Sequence, residues 1–228
     1  MAAVTVIIPA LNEAGNIRSL VQELRAVAPV DVLVVDNNST DATASEARLA
    51  GARVVSEPRR GYGYACAAGA AAAEAAGILI FMDGDGSFSP GDLPALLKPL
   101  SEGSADFVLG SRELGSIISG SMPFQQRFGN WLVSRLMNTL YGISITDLGP
   151  FRAIRKDLLN ELDMQEMTYG WPTEMIVKAA RRKAHILEIP VSYRSRCSGK
   201  SKVSGTVRGT LLATWSILAV TFRHARWA

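Results

Sequence analysis

Five short apolar runs punctuate the first half of the chain: VTVII at 4–8, DVLVV at 31–35, ARVV at 52–55, GILIFM at 77–82 and ADFVLG at 105–110. β-Branched runs of this length, bounded by polar turns, read as strands buried on both faces. Helical stretches lie between them. Residues 14–27 put Ile17, Leu20, Val21 and Leu24 on one face. Residues 41–50 and 63–76 follow, the latter mostly alanine, a residue that favours helix and permits close packing. Ser89-Pro90-Gly91-Asp92 has the N-cap serine, first-turn proline and third-position acid that open a further helix. Strands alternating with helices predict an α/β fold with a parallel, doubly wound sheet. Ligands of such sheets bind outside the carboxyl ends of the strands, so the loops after the strands are where function is sought.

The second half is less regular. An amphipathic helix is expected over 125–140, with Phe128, Leu132, Leu136 and Leu140 at helical spacing. A turn enters a strand over 145–155, a helix spans 172–183, a strand spans 185–193, and a final helix runs from about 204 to 222. No repeat or low-complexity linker divides the chain, so one domain is expected. The longest apolar stretches fall short of the roughly 18 residues a membrane span needs. The N-terminal segment lacks the basic start and cleavage site of a secretory signal. Cys66 and Cys197 form no CxxC pair, and a reducing, cytoplasmic setting is the simplest expectation.

Charge is unevenly placed. Residues 1–177 carry 13 Lys/Arg against 20 Asp/Glu, whereas residues 178–228 carry 11 Lys/Arg and one acid, Glu188. The basic quarter suits an anionic partner (nucleic acid, membrane headgroups or a phosphorylated substrate), and a solvated basic helix is the alternative. No nucleic-acid recognition motif accompanies it, so nucleic acid is not expected as a partner.

The most informative loop is MDGDGS at 82–87, directly after the fourth apolar run. Asp83 and Asp85 flank Gly84, so two carboxylates can converge at a strand end. Paired hard oxygens suit Mg²⁺ or Mn²⁺, which take their remaining ligands from water and substrate phosphates. The alternative is an Asp-Gly turn selected for backbone geometry. PALNE at 9–13 and DNNSTD at 36–41 end the first two strands; Asn12, Thr40 and Asp41 serve there either as helix caps or as the lining of a nucleotide pocket. GYGYACAAG at 61–69 is a poor dinucleotide fingerprint, but its glycines allow a ligand to approach the backbone.

PALNE, DNNSTDAT, GYGYA, MDGDGS and GSR at 110–112 occur in order, each near a strand end. Together they resemble the family 2 glycosyltransferases of the GT-A fold. TDLGPFRAIRK, YGWPTEM and SYRSRCSGKSKVSGTVRG extend the resemblance toward dolichyl- and polyprenyl-phosphate sugar synthases. The resemblance implies a single Rossmann-like domain with a mainly parallel central sheet. Within it, residues 1–112 would bind the nucleotide sugar, 113–208 the acceptor, and 209–228 would form an apolar C-terminal helix. It implies that Pro9, Ala10, Asn12 and Glu13 border the nucleotide, that Asp36 binds the base, and that Asp83 meets its phosphate or ribose. Asp85 would be the principal metal ligand, with Asp83 assisting, and Arg112 would lie near the donor. Where the polyprenyl-phosphate branch commonly has Gln two places after the second Asp, this chain has Ser87.

Members of this kind invert the anomeric centre. A hydroxyl acceptor needs a general base, whereas a phosphate acceptor is already anionic and needs cations to hold it. Arg194, Arg196, Lys200, Lys202 and Arg208 are the expected phosphate-binding cluster, and Arg152 is a further candidate whose alternative is a surface ion pair. For a hydroxyl acceptor, Glu174 or Asp147 is the base to test. The resulting expectation is transfer of a hexose from UDP-glucose or GDP-mannose to polyprenyl phosphate. The alternatives are a sugar, glycolipid or small-molecule hydroxyl as acceptor, or a nucleotide-binding module without catalysis. The last helix, bracketed by Arg208, Arg223 and Arg226 with Trp215 and Trp227 at hand, suits either a membrane surface or packing on protein. A peripheral position on the inner face of the membrane follows from the first of these, and oligomeric state is left open.

Overall fold

A computed structural model of the chain describes residues 3–118, 121–196, 198–199 and 207–225, with the side chains of 207, 208, 210 and 211 left aside. One seven-stranded sheet organises it. Strands β1 (Val4–Ala10), β2 (Asp31–Asp36), β3 (Arg53–Ser56), β4 (Ile78–Phe81), β5 (Phe107–Ile117), β6 (Arg152–Arg155) and β7 (Ile186–Tyr193) lie in the order β3-β2-β1-β4-β6-β5-β7. All neighbours pair in parallel except β6, which is antiparallel to both β4 and β5. The sheet is therefore mainly parallel, as expected, with one reversed strand that the apolar pattern does not signal. Periodicity reports which faces of a strand are covered and carries no information on direction.

The helices are α1 (Ala14–Val27), α2 (Thr43–Leu49), α3 (Tyr62–Ala72), α4 (Leu93–Ser101), α5 (Phe124–Tyr141), α6 (Lys156–Leu162), α7 (Trp171–Arg181) and α8 (Val207–Arg223). Alternation along β1 shows why its strand reads as a continuous apolar run. Val6, Ile8 and Ala10 enter one core with Leu20 and Leu24 of α1 and Leu96 of α4. Ile7 enters the opposite core with α3, α5, α7 and Val220 of α8. Both faces are covered, so the run is apolar apart from Thr5, whose hydroxyl bonds Asp31. Gly69 lets α3 lie close to the sheet: a Cβ there would stand 2.4 Å from Ile7 Cγ2. Ser89 Oγ accepts the Gly91 N–H at 3.3 Å and opens the 3₁₀ turn Pro90–Asp92 that leads into α4.

Helix α5 departs from expectation. Its buried residues are Asn130, Val133, Ser134 and Met137, while Phe128 and Leu132 of the expected apolar stripe are exposed. The polar inner face is satisfied by specific bonds. Asn130 Nδ2 donates to Thr146 O at 3.1 Å and its Oδ1 accepts the Leu148 N–H at 3.0 Å; Asn138 bonds Ile145 through both N–H and C=O. Spacing alone identifies a stripe, and here these amides turn the opposite face inward.

Candidate active site

The first two strands end side by side, and their loops hold each other. Asn12, at φ 52°, accepts the Thr40 N–H at 2.7 Å and donates its own N–H to Ser39 Oγ at 2.9 Å. The N-terminus of α1 is capped from the neighbouring loop: Glu13 N–H bonds Thr43 Oγ1 and Ala14 N–H bonds Asp41 Oδ2. Asp41 thus caps α1 from the neighbouring loop, and Asn12 ties that loop to its own. Asp36 Oδ1 accepts the Ser39 N–H at 3.2 Å. Pro9 and Ala10 remain in β1, paired with Val35 and Asp36. Asn37, which sequence reasoning passed over, ties this loop to the next: its amide bonds Glu57 O, Arg59 O and Gly61 N.

The Asp83–Asp85 loop follows β4, beside β1. Asp85 is buried, its Oδ1 accepting the Ser87 N–H at 2.9 Å. Asp83 keeps a limited opening to solvent. Burial pushes its carboxyl well above the ordinary range, and the Asp85 charge adds to this, against weaker pulls from Arg112 and from the Tyr62 phenol that hydrogen-bonds it. A buried carboxyl whose charge its neighbour disfavours is a donor that a divalent cation relieves. No cage of three or more His, Cys, Asp or Glu exists among the described residues. The pair thus fits Mg²⁺ or Mn²⁺ completed by phosphate and water, the way such ions are commonly held. Tyr62, from GYGYA, is a second residue that sequence reasoning missed; only the fold brings the start of α3 under β4.

The basic segment after β7 folds onto this loop. Arg194 donates its N–H to Ser87 O and its Nε–H to Gly86 O, both at 2.8 Å, and Arg196 Nη2 reaches Asp85 Oδ2 at 2.8 Å. Asn16 Nδ2 bonds Ser198 O at 3.2 Å, so the segment also touches α1. A cleft of about 160 Å³ is lined by Asn12, Glu13, Asn16 and Asp41 on one side and Arg196 and Ser198 on the other. Lys200 and Lys202 lie outside the described residues, as does the side chain of Arg208; Arg226 and Trp227 also lie outside.

The other candidates are taken up by the fold. Arg112 is buried against Asp147, with N–H and Nε–H on Oδ2 at 2.7 and 2.8 Å and Nη2 on Oδ1 at 2.7 Å. Its guanidinium also lies 5.2 Å from the Tyr193 ring centre. Burial alone would raise the Asp147 pKa, but Arg112 overcomes it and holds the carboxyl below its ordinary value. A carboxylate so engaged is a weaker proton acceptor than a free one. Glu174 is engaged likewise. It is buried, Oε2 accepts the Gln165 and Glu166 N–H groups at 2.9 and 2.8 Å, and Oε1 faces Lys178 Nζ at 2.9 Å. Arg152 is neither a surface ion pair nor open to a phosphate. It is buried, with Nη1 on Pro172 O and Nη2 on Leu148 O and Gly149 O. A cation pinned by three carbonyls organises the chain around it.

Comparison with known proteins identifies the family. The family model described as Glycosyl transferase family 2 matches residues 5–163. An uncharacterized glycosyltransferase of Mycobacterium tuberculosis is 39% identical over 220 residues, covering 95% of this chain and 98% of the relative. The undecaprenyl-phosphate mannosyltransferase of Micrococcus luteus is 32% identical over 235 residues, with 95% of each chain covered. Among solved structures, glucosyl-3-phosphoglycerate synthase from M. tuberculosis, in complex with Mn²⁺, UDP and glucosyl-3-phosphoglycerate, superposes with a TM-score of 0.78 at 22% identity. That match covers 98% of this chain and 80% of the other.

Proposed function

The chain belongs to glycosyltransferase family 2, and from that premise we propose that it moves a hexose from a UDP- or GDP-linked donor to polyprenyl phosphate with inversion at the sugar. The observation that carries this reading is the seating of Arg194 and Arg196 on the Asp83–Asp85 loop. Cationic groups stand where an anionic acceptor must arrive, and the two carboxylates considered as bases are both engaged elsewhere. A phosphate oxygen needs no base: it forms the new bond to the anomeric carbon while the bond from that carbon to the nucleoside diphosphate oxygen breaks.

In this reading the knitted loops at 9–13 and 36–41 receive the nucleoside, with Asp36 toward the base. Asp83 and Asp85 hold the divalent cation, which when bound screens the departing diphosphate. Arg112, neutralised by Asp147 and set beside Tyr193, supports the donor side of the site from within the fold. Arg196 exchanges its Asp85 partner for phosphate when substrates enter, joined by Lys200, Lys202 and Arg208. Relatives named for polyprenyl-phosphate acceptors support the acceptor class: besides the M. luteus enzyme, polyprenol monophosphomannose synthase of Mycolicibacterium smegmatis is 29% identical over 93% of this chain. No helix among the described residues is long and apolar enough to cross a membrane, so a lipid-borne acceptor would be met at the bilayer surface.

The test is direct. Purified protein is incubated with labelled UDP-glucose or GDP-mannose, polyprenyl phosphate, and Mg²⁺ or Mn²⁺. The expected outcome is a cation-dependent, mild-acid-labile lipid product with one donor. Absence of such a product with either donor, together with transfer to a hydroxyl acceptor, would replace this reading.

A further inference from the structure

Helix α5 carries an apolar stripe that faces away from the protein. Phe124 is 76% and Trp131 55% exposed, and Phe128 and Leu132 accompany them. The rings form a ladder, Phe124 to Phe128 at 6.3 Å between centres and Phe128 to Trp131 at 5.8 Å. Contiguous exposed aromatics of this kind mark an interaction surface, unlike scattered single residues. The stripe is also close to the chemistry. Strands β4 and β5 are each antiparallel to β6 and so run the same way. The long C-terminal end of β5 therefore projects from the edge of the sheet that carries the Asp83–Asp85 loop, and it exposes Leu114 and Ile118 there. Through Asn130, the inner face of α5 holds the 146–148 loop, which supplies Asp147 to Arg112.

Charge selects the occupant. Residues 114–146 contain no Asp or Glu. Arg135 is exposed on the stripe itself, four residues after Trp131, and Arg127 flanks it in a pair with Glu113. An apolar ladder of Phe, Trp and Leu beside arginines, on a helix without acids, matches a helix lying in the headgroup region of an anionic bilayer. A second copy of the chain would bring the same acid-free stripe and no carboxylate to meet Arg135.

We infer that α5, with Leu114 and Ile118, is the face on which this enzyme lies on an anionic phospholipid bilayer. The inference deepens the reading of a lipid-borne acceptor and rests on it: the bilayer face and the Asp83–Asp85 loop share one edge of the sheet, where a lipid phosphate would be presented.

The test is co-sedimentation of the full chain with phosphatidylcholine vesicles, with and without phosphatidylglycerol. The wild type is expected to bind the anionic vesicles and to be released by salt. The Phe128→Ser, Trp131→Ser double variant is expected to lose about tenfold in partitioning, and Trp215→Ser on α8 to lose little. Should the double variant not fold, quenching by bromine-labelled lipid is compared between wild type and Trp131→Phe, and loss of most quenching is expected. Absence of vesicle binding, or binding that depends on Trp215 and not on α5, overturns the inference. So does a wild-type dimer that the double variant converts to monomer without any change in vesicle binding. Sugar transfer separates the two claims. The folded variant should keep activity on a short, water-soluble prenyl phosphate and lose it on a long acceptor in vesicles. A wild type that binds vesicles through α5 but transfers to neither acceptor refutes the acceptor reading and leaves the surface standing.

Discussion

The two halves of this molecule spend their charges differently. Around β1, β2 and β4, polar side chains lock loops to one another while Asp83 and Asp85 are held together after β4. Beyond β5, the charges are closed inward: Arg112 on Asp147, Glu174 on Lys178 and two backbone N–H groups, Arg152 on three carbonyls. In the first half burial and the neighbouring Asp85 disfavour the charged form of Asp83, which suits binding a cation. In the second each buried charge is answered within the fold, which suits support. Substitutions should therefore divide into those that remove activity from a stable protein and those that remove the protein.

The largest expected effect is Asp85→Ala: sugar transfer falls about a thousandfold while the thermal midpoint stays close to wild type. Full cation-stimulated transfer in this variant would end the comparison at its strongest point. Next is Asp147→Asn, which leaves Arg112 buried against a neutral partner and costs about 3 kcal/mol in urea unfolding. The pH dependence has a defined sign. Because the native Asp147 pKa is depressed, its contribution is present above the unfolded value near 4 and drains away as pH falls through the lower native value. The variant should lack that acid limb; an unchanged stability–pH curve would show that the pair contributes nothing.

Glu174→Gln is expected to lose about 2 kcal/mol, since one carboxylate oxygen serves two backbone donors, yet to keep its turnover per folded molecule. A collapse of kcat with an unmoved melting temperature would return Glu174 to the list of bases. The smallest effect is Arg196→Ala. Removing a guanidinium that competes for Asp85 should tighten donor-free Mn²⁺ binding, read by electron paramagnetic resonance, by about fivefold, equivalent to about 1 kcal/mol. Weaker binding would mean that Arg196 organises the cation site and does not compete for it.

Much of this was legible in the residues. The span of α1, the strand cores at 4–8 and 31–35, and the position of MDGDGS at a strand end follow from local pattern, because burial on both faces leaves continuous apolar runs and turns need Asp, Asn and Gly. Glu174, Asp147 and Arg152 were legible as charged residues in suggestive places. Whether their lone pairs and N–H groups are free depends on which backbone groups the fold delivers to them, and those come from 3 to 35 positions away. The apolar residues of α5 were equally visible, but the side they occupy is decided by Asn130 and Asn138 finding partners in the 145–148 segment. Helix α6 escaped notice because it begins directly after β6 with no turn residue to mark it.

The amino-acid order by itself determined the alternating α/β framework, the acidic loop after the fourth strand and the basic segment near the end, since each depends on neighbours within a few residues. Tertiary structure alone decided that β6 runs backwards, that Arg194 and Arg196 close on the acidic loop across nearly half the chain, and that α5 turns its aromatic stripe outward. These are choices among arrangements that local propensity leaves nearly equal in energy, and only the mutual satisfaction of buried polar groups separates them.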